Sequence, residues 1–101
     1  MTQTKLKISP AAKRFFKNMK KQKHLQSIFQ DALSDIIANP LEAGNLKTGD
    51  LAGIYGYDIY YNGVNYEIAY AIEKGREGKT ILIILAGTRE NFYQELKRYW
   101  M

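Results

Sequence analysis

The run Ile54–Glu73, IYGYDIYYNGVNYEIAYAIE, decides the fold. Both halves are rich in tyrosine and isoleucine, side chains that fit a pleated surface. Asn62-Gly63 between them is the dipeptide that favours a two-residue hairpin turn. In the second half Tyr66, Ile68, Tyr70 and Ile72 alternate with Glu67, Ala69, Ala71 and Glu73. One face of that strand is therefore apolar and the other small or acidic. A charged turn at Lys74–Lys79 follows, and then Thr80–Ala86 (TILIILA), which reads as a strand buried on both faces.

Towards the N-terminus the period changes. Leu41–Asp50 reads as a loop, and before it Leu25, Ile28, Phe29, Ala32, Leu33, Ile36 and Ile37 form the longest helical pattern in the chain. Asn39-Pro40 ends that helix, because proline disfavours helix in the residue before it and has no N–H to donate. Ser9-Pro10 supplies an N-cap and a first-turn proline for an earlier helix, whose Ala12, Phe15, Phe16 and Met19 form one stripe. Lys13, Lys17, Lys20 and His24 fall roughly 150° around from it, facing outward. The two helices part near Lys21–His24 and pack as a hairpin on one side of the sheet. Lys5–Ile8 alternates as a short strand, and Glu90–Met101 carries Phe92, Leu96, Tyr99 and Trp100 at helical spacing. The expectation is one α+β domain over residues 1–101 in the order β-α-α-β-β-β-α, with an antiparallel-rich sheet.

Composition sets bounds on function. The 101 residues are 46% hydrophobic and 25% charged, which is globular rather than disordered. No cysteine means no disulfide, thiolate metal site or cysteine nucleophile. No apolar run approaches the roughly 20 residues of a membrane span and no signal-peptide core opens the chain, so a cytoplasmic protein without membrane contact is expected. The net charge of +5 is unevenly placed. Residues 1–30 hold eight Lys or Arg and no acid, giving +8; residues 31–101 hold seven basic and ten acidic groups, giving −3. Such a block suits phosphate or an acidic protein.

Most chemical motifs are missing. The glycines do not form a phosphate loop, and one histidine without cysteine leaves neither a metal set nor a serine triad. No metal or cofactor is expected. His24, among lysines, reads as a solvated surface residue. Attention falls on Ala86–Tyr93, AGTRENFY, where a buried strand ends and the last helix starts. Arg89 there is placed to clamp a phosphate with two hydrogen bonds or to pair with Glu67 or Glu73 on the next strand. Five of the eight tyrosines (Tyr55, Tyr57, Tyr60, Tyr61 and Tyr66) surround the hairpin, as sheet residues or as a stacking platform.

Four pieces in order carry a family resemblance: Leu6-Lys7-Ile8-Ser9-Pro10-Ala11-Ala12-Lys13, Leu46-Lys47-x-Gly49-Asp50-Leu51-x-Gly53-x-Tyr55, Tyr66-x-Ile68-x-Tyr70 and Gly87-x-Arg89-x-x-Phe92-Tyr93. Together they resemble the RelE/ParE superfamily of bacterial toxins from type II toxin–antitoxin modules. The resemblance implies a metal-independent endoribonuclease that cleaves mRNA at the ribosome, inhibits translation and is held by a cognate antitoxin. DNA would be met only through the antitoxin complex. It implies that Arg89 steadies the transition state and that Tyr93 is the aromatic at the signature's end. Thr88 stands where many members have histidine, and three usual arginine positions are Gly56, Asp58 and Glu67. Two accounts of that change stay open. Either acid–base work has moved to Glu67 and Asp58, with Lys47 or Arg76 as further phosphate ligands, Tyr57 stacking on a base and Lys13, Lys17 and Lys20 docking RNA. Or the face is a solvated one, as in members that inhibit DNA gyrase without cutting RNA.

Overall fold

The computed structural model describes residues 3–100. Met101, read above as the end of the last helix, lies outside them, as does the side chain of Trp100. The chain runs β1 (Gln3–Ile8), α1 (Pro10–Asn18), α2 (Lys23–Ala38), α3 (Pro40–Ala43), β2 (Asn45–Leu46), β3 (Tyr55–Tyr61), β4 (Val64–Gly75), β5 (Gly78–Thr88) and α4 (Phe92–Trp100). The strands form one mixed sheet in the order β1-β5-β4-β3-β2. β1 pairs with β5 in parallel, and the remaining neighbours are antiparallel.

Local chemistry accounts for the elements. Asn62 and Gly63 both take positive φ, 52° and 80°, the conformation that two-residue hairpin turns need. Ser9 caps α1 by accepting from the Ala12 N–H at 3.1 Å, and its hydroxyl donates to the Ile84 carbonyl. That carbonyl sits at a register shift, where Ala69 pairs with Leu85 but Tyr70 pairs with Ile83. The extra residue would leave a backbone acceptor unmatched, and Ser9 takes it up.

The helical hairpin and the sheet share a core of Met19, Leu25, Phe29, Ile36, Ile68, Tyr70, Ile81 and Ile83. Phe29 is its hub, meeting Phe15 at 5.4 Å, Phe16 at 5.9 Å and Tyr66 at 5.6 Å in edge-on geometry. On the other face Ile54, Ala69, Ala71, Ile84 and Leu85 pack against Phe92 and Leu96 of α4. The small-or-acidic face of β4 is thus covered over its length from Glu67 to Ala71. This corrects the reading of that face as open and solvated, because Phe92 and Leu96 need the shallow surface that Ala69 and Ala71 provide.

Two boundaries also differ. The region read as a loop, Leu41–Asp50, holds β2, most of α3 and the start of a 3-10 turn at Gly49–Leu51. Pro40 opens α3, and the buried Tyr70 hydroxyl holds the segment by donating to the Pro40 carbonyl at 2.6 Å and accepting from the Gly44 N–H at 2.9 Å. The charged turn at Lys74–Lys79 shrinks to Arg76-Glu77, since both strands pair as far as Gly75 and Gly78.

Candidate functional site

Among the described residues Glu67 is the one charged side chain that is fully buried, with no exposed surface. A buried carboxylate is costly unless it is paired and hydrogen-bonded, and Glu67 is both. Its position in the middle of β4 aims it at the α4 side, opposite Asp58 of β3 and Gly87 of β5. Lys47 Nζ approaches Oε2 at 3.2 Å, and Arg89 Nε approaches Oε1 at 3.5 Å. The Tyr93 hydroxyl donates to Oε1 at 3.2 Å and accepts from Lys47 Nζ at 2.7 Å. Lys47 also lies over the Tyr93 ring, 4.8 Å from its centroid.

Each group is placed by its own element. Lys47 follows β2, and its N–H is fixed on the Ile54 carbonyl at 2.8 Å. Arg89 leaves the end of β5 with its N–H on the Asn65 carbonyl at 3.0 Å. Tyr93 stands in the first turn of α4, its ring perpendicular to that of the buried Phe92. Three separate segments therefore converge on one carboxylate of a fourth, β4.

The electrostatics follow. Burial works to lower the Lys47 pKa, but the Tyr93 hydroxyl and the Glu67 carboxylate outweigh it and hold the ammonium above the ordinary lysine value. Tyr93 first, then Asp58 and Glu67, raise the Arg89 guanidinium. Both cations stay charged at any physiological pH. With Asp58 included, two positive and two negative groups cancel.

Arg89, Glu67 and Tyr93, singled out in the sequence, are brought together, and Lys47 joins them. Asp58 is adjacent through its strand pairing but exposed. The remaining candidates lie apart. Tyr57 points to the opposite face, where burial and its hydrogen bond to Asp35 at 3.0 Å raise its pKa; this corrects its reading as a stacking residue of this site. It lines an open groove of about 650 Å³ between α2 and β3 with Asp31, Asp35 and Ile59. Arg76 sits at the far hairpin end, eight residues beyond Glu67 to the end of β4 at Gly75, roughly 25 Å of strand. It is therefore no phosphate ligand of this site. Lys13 and Lys17 are exposed on α1, as their helical phase predicts, whereas Lys20 is exposed in the turn that follows it, because the helix ends at Asn18. The sequence marks Gly56 only as an absent arginine; the structure shows that its missing side chain makes room for the pair Lys47–Glu67.

Among the described residues no three His, Asp or Glu side chains are placed to hold a metal, and no helix is long and apolar enough to cross a membrane.

The five-stranded mixed sheet is thus flanked by a helical hairpin and a C-terminal helix, with a lysine, an arginine and a tyrosine gathered around Glu67 of its central strand. Residues 6–97 match the sequence model of the family described as ParE-like toxin of type II bacterial toxin-antitoxin system, and the chain belongs to that family. The YoeB/ParE toxin from Agrobacterium tumefaciens superposes with a TM-score of 0.71 at 12% identity, covering 84% of this chain and 98% of that one. The RelBE2 toxin-antitoxin complex from Mycobacterium tuberculosis gives 0.61 at 21% identity, covering 84% and 96%. At these identities the likeness is one of fold. A search of curated proteins finds no significant sequence match.

Proposed function

We propose that the protein is a metal-independent endoribonuclease that cuts mRNA on the ribosome in the cytoplasm and is neutralised by a cognate antitoxin. The observation that carries this reading is the convergence of Lys47, Arg89 and Tyr93 on the buried Glu67. A carboxylate is a base for a ribose 2′-OH, and a hydroxyl beside it is an acid for the leaving 5′-oxygen. In the resting state the Tyr93 hydroxyl occupies the place on Glu67 that the 2′-OH takes over. Glu67 accepts the 2′-OH proton, the 2′-oxygen forms its bond to phosphorus, and the P–O5′ bond breaks as Tyr93 protonates the departing oxygen. Lys47 and Arg89 face the charge that builds on the phosphorane. When product leaves, the Tyr93–Glu67 hydrogen bond returns the proton to Tyr93, and both groups are reset. Inducing the protein in cells and mapping mRNA ends on translating ribosomes should reveal new cuts. Arg89→Ala should abolish them, and the growth arrest, in a protein that still folds.

A second reading is a toxin that blocks a protein target such as DNA gyrase. It is favoured by the neutral charge of the site, since Glu67 and Asp58 offset both cations. Intact mRNA with blocked supercoiling on induction would establish it and overturn the first.

A further inference from the structure

Lys47 reaches Glu67 by an indirect route. Gly56 lies on β3, opposite Asn45 of β2 and Ala69 of β4, so its missing side chain would point to the same face as Glu67. A Cβ placed there would overlap Glu67 Oε2, and would stand 2.7 Å from Lys47 Cε and 3.0 Å from Lys47 Nζ. Real Cβ atoms essentially never approach so closely. The φ of Gly56 is not positive, so backbone conformation does not call for glycine at this position. What calls for it is the ion pair that fills this space, the Glu67 carboxylate nearest and the lysine crossing above it.

We infer that Gly56 is a positioning residue, whose bare backbone is the passage through which Lys47 reaches Glu67 and Tyr93. A side chain at position 56 closes the passage and turns the ammonium out to solvent. Glu67 is then left with Arg89 and Tyr93. A cation from the β2–β3 connection thus stands in for one that the strand itself does not carry. The consequence for catalysis rests on the ribonuclease reading, whereas the placement of Lys47 does not.

Gly56→Ala therefore separates the two. In the native protein the Lys47 ammonium, followed by NMR and assigned by its loss in Lys47→Ala, titrates above the ordinary lysine value of 10.5. The groups facing it are Glu67 on β4 and Tyr93 on α4, with Asp58 on β3 and Arg89 after β5 around the same carboxylate. In Gly56→Ala that titration should fall to the ordinary value or below. An unchanged titration would overturn the assignment. Gly75→Ala is the control, since a Cβ there meets nothing nearer than the Gly78 carbonyl at 3.6 Å. Should Gly56→Ala fail to fold, Lys47→Ala removes the lysine's share of the overlap and gives the Glu67 carboxylate room to swing aside. The double variant should then be more stable than the sum of the two single losses, and strict additivity would refute the inference. Cutting by Gly56→Ala should drop about 100-fold, as when one charge-stabilising donor is removed, and no further in the double variant. Absence of cutting by the native protein would refute the ribonuclease reading alone and leave the titration to decide the role of Gly56.

Discussion

At the residue scale, the role of Glu67 turns on a carboxylate with no exposed surface whose partners keep theirs: the Lys47 side chain is 22% exposed and that of Arg89 48%. Breaking a buried ion pair from one side costs about 3–5 kcal/mol when the charge left behind stays buried. Removing Glu67 leaves only groups that water can reach, so Glu67→Gln should cost about 1 kcal/mol or less, read from the urea midpoint. Its effect on cutting should be far larger, a loss of about 10²–10⁴ as for a general base. A Glu67→Gln variant that folds and still cuts at the parent rate would show that the carboxylate is not the base. The alternation Tyr66-Glu67-Ile68 places this carboxylate off the apolar face, and that much is legible in the sequence. Its burial is not. It depends on α4 closing over β4 from 25 residues downstream, and on the vacancy at Gly56, which becomes visible only when Lys47 is seen to fill it.

At the scale of elements, the strands and long helices follow from patterns of period two and of 3.6 residues, whereas the connection between α2 and β3 does not. α3 and β2 are four and two residues long, too short to show any period. They are fixed from a distance by Tyr70, which also stacks on Tyr55 at 5.3 Å. Tyr70→Phe should cost about 1–3 kcal/mol, because it strands both a buried carbonyl and an N–H. The segment it releases leads directly to Lys47, so cutting should weaken with it. The same hydroxyl gives a pH signature. Burial pushes the Tyr70 pKa up to about 12, against 10.0 for an ordinary tyrosine. Between those values the folded chain holds a proton that the unfolded chain has released. The stability it contributes is therefore complete below pH 10 and falls as pH rises towards 12. Urea midpoints measured across that window should decline in the native protein, with a shallower decline in Tyr70→Phe.

At the scale of the whole molecule, the charge block and the candidate site are separate. Residues 1–30 carry +8, and Lys13 and Lys17 on α1 and Lys20 just after it stand exposed, yet none of them joins the cluster at Glu67. A site whose own charges cancel does little to attract an anionic chain, so the attraction has to come from elsewhere on the molecule. Under the proposed ribonuclease function, the long-range field of the basic end would gather RNA, while Lys47 and Arg89 would act only at contact. Each exposed lysine that neutralises a phosphate releases counterions, at about 0.7–0.9 of a unit in the logarithmic salt slope. Changing Lys13, Lys17 and Lys20 together to Gln should weaken binding to ribosomes at low salt and flatten that slope by about 2–3. The rate of cutting at saturation should be unchanged, because the site is untouched. Arg89→Ala should do the reverse, removing the cut while leaving the slope nearly as it was. If the triple variant bound ribosomes with the parent slope, the basic helix would not be the RNA-docking surface. Its charge would then remain to be matched by an acidic antitoxin, and titration of the triple variant with that protein would show the weakening instead.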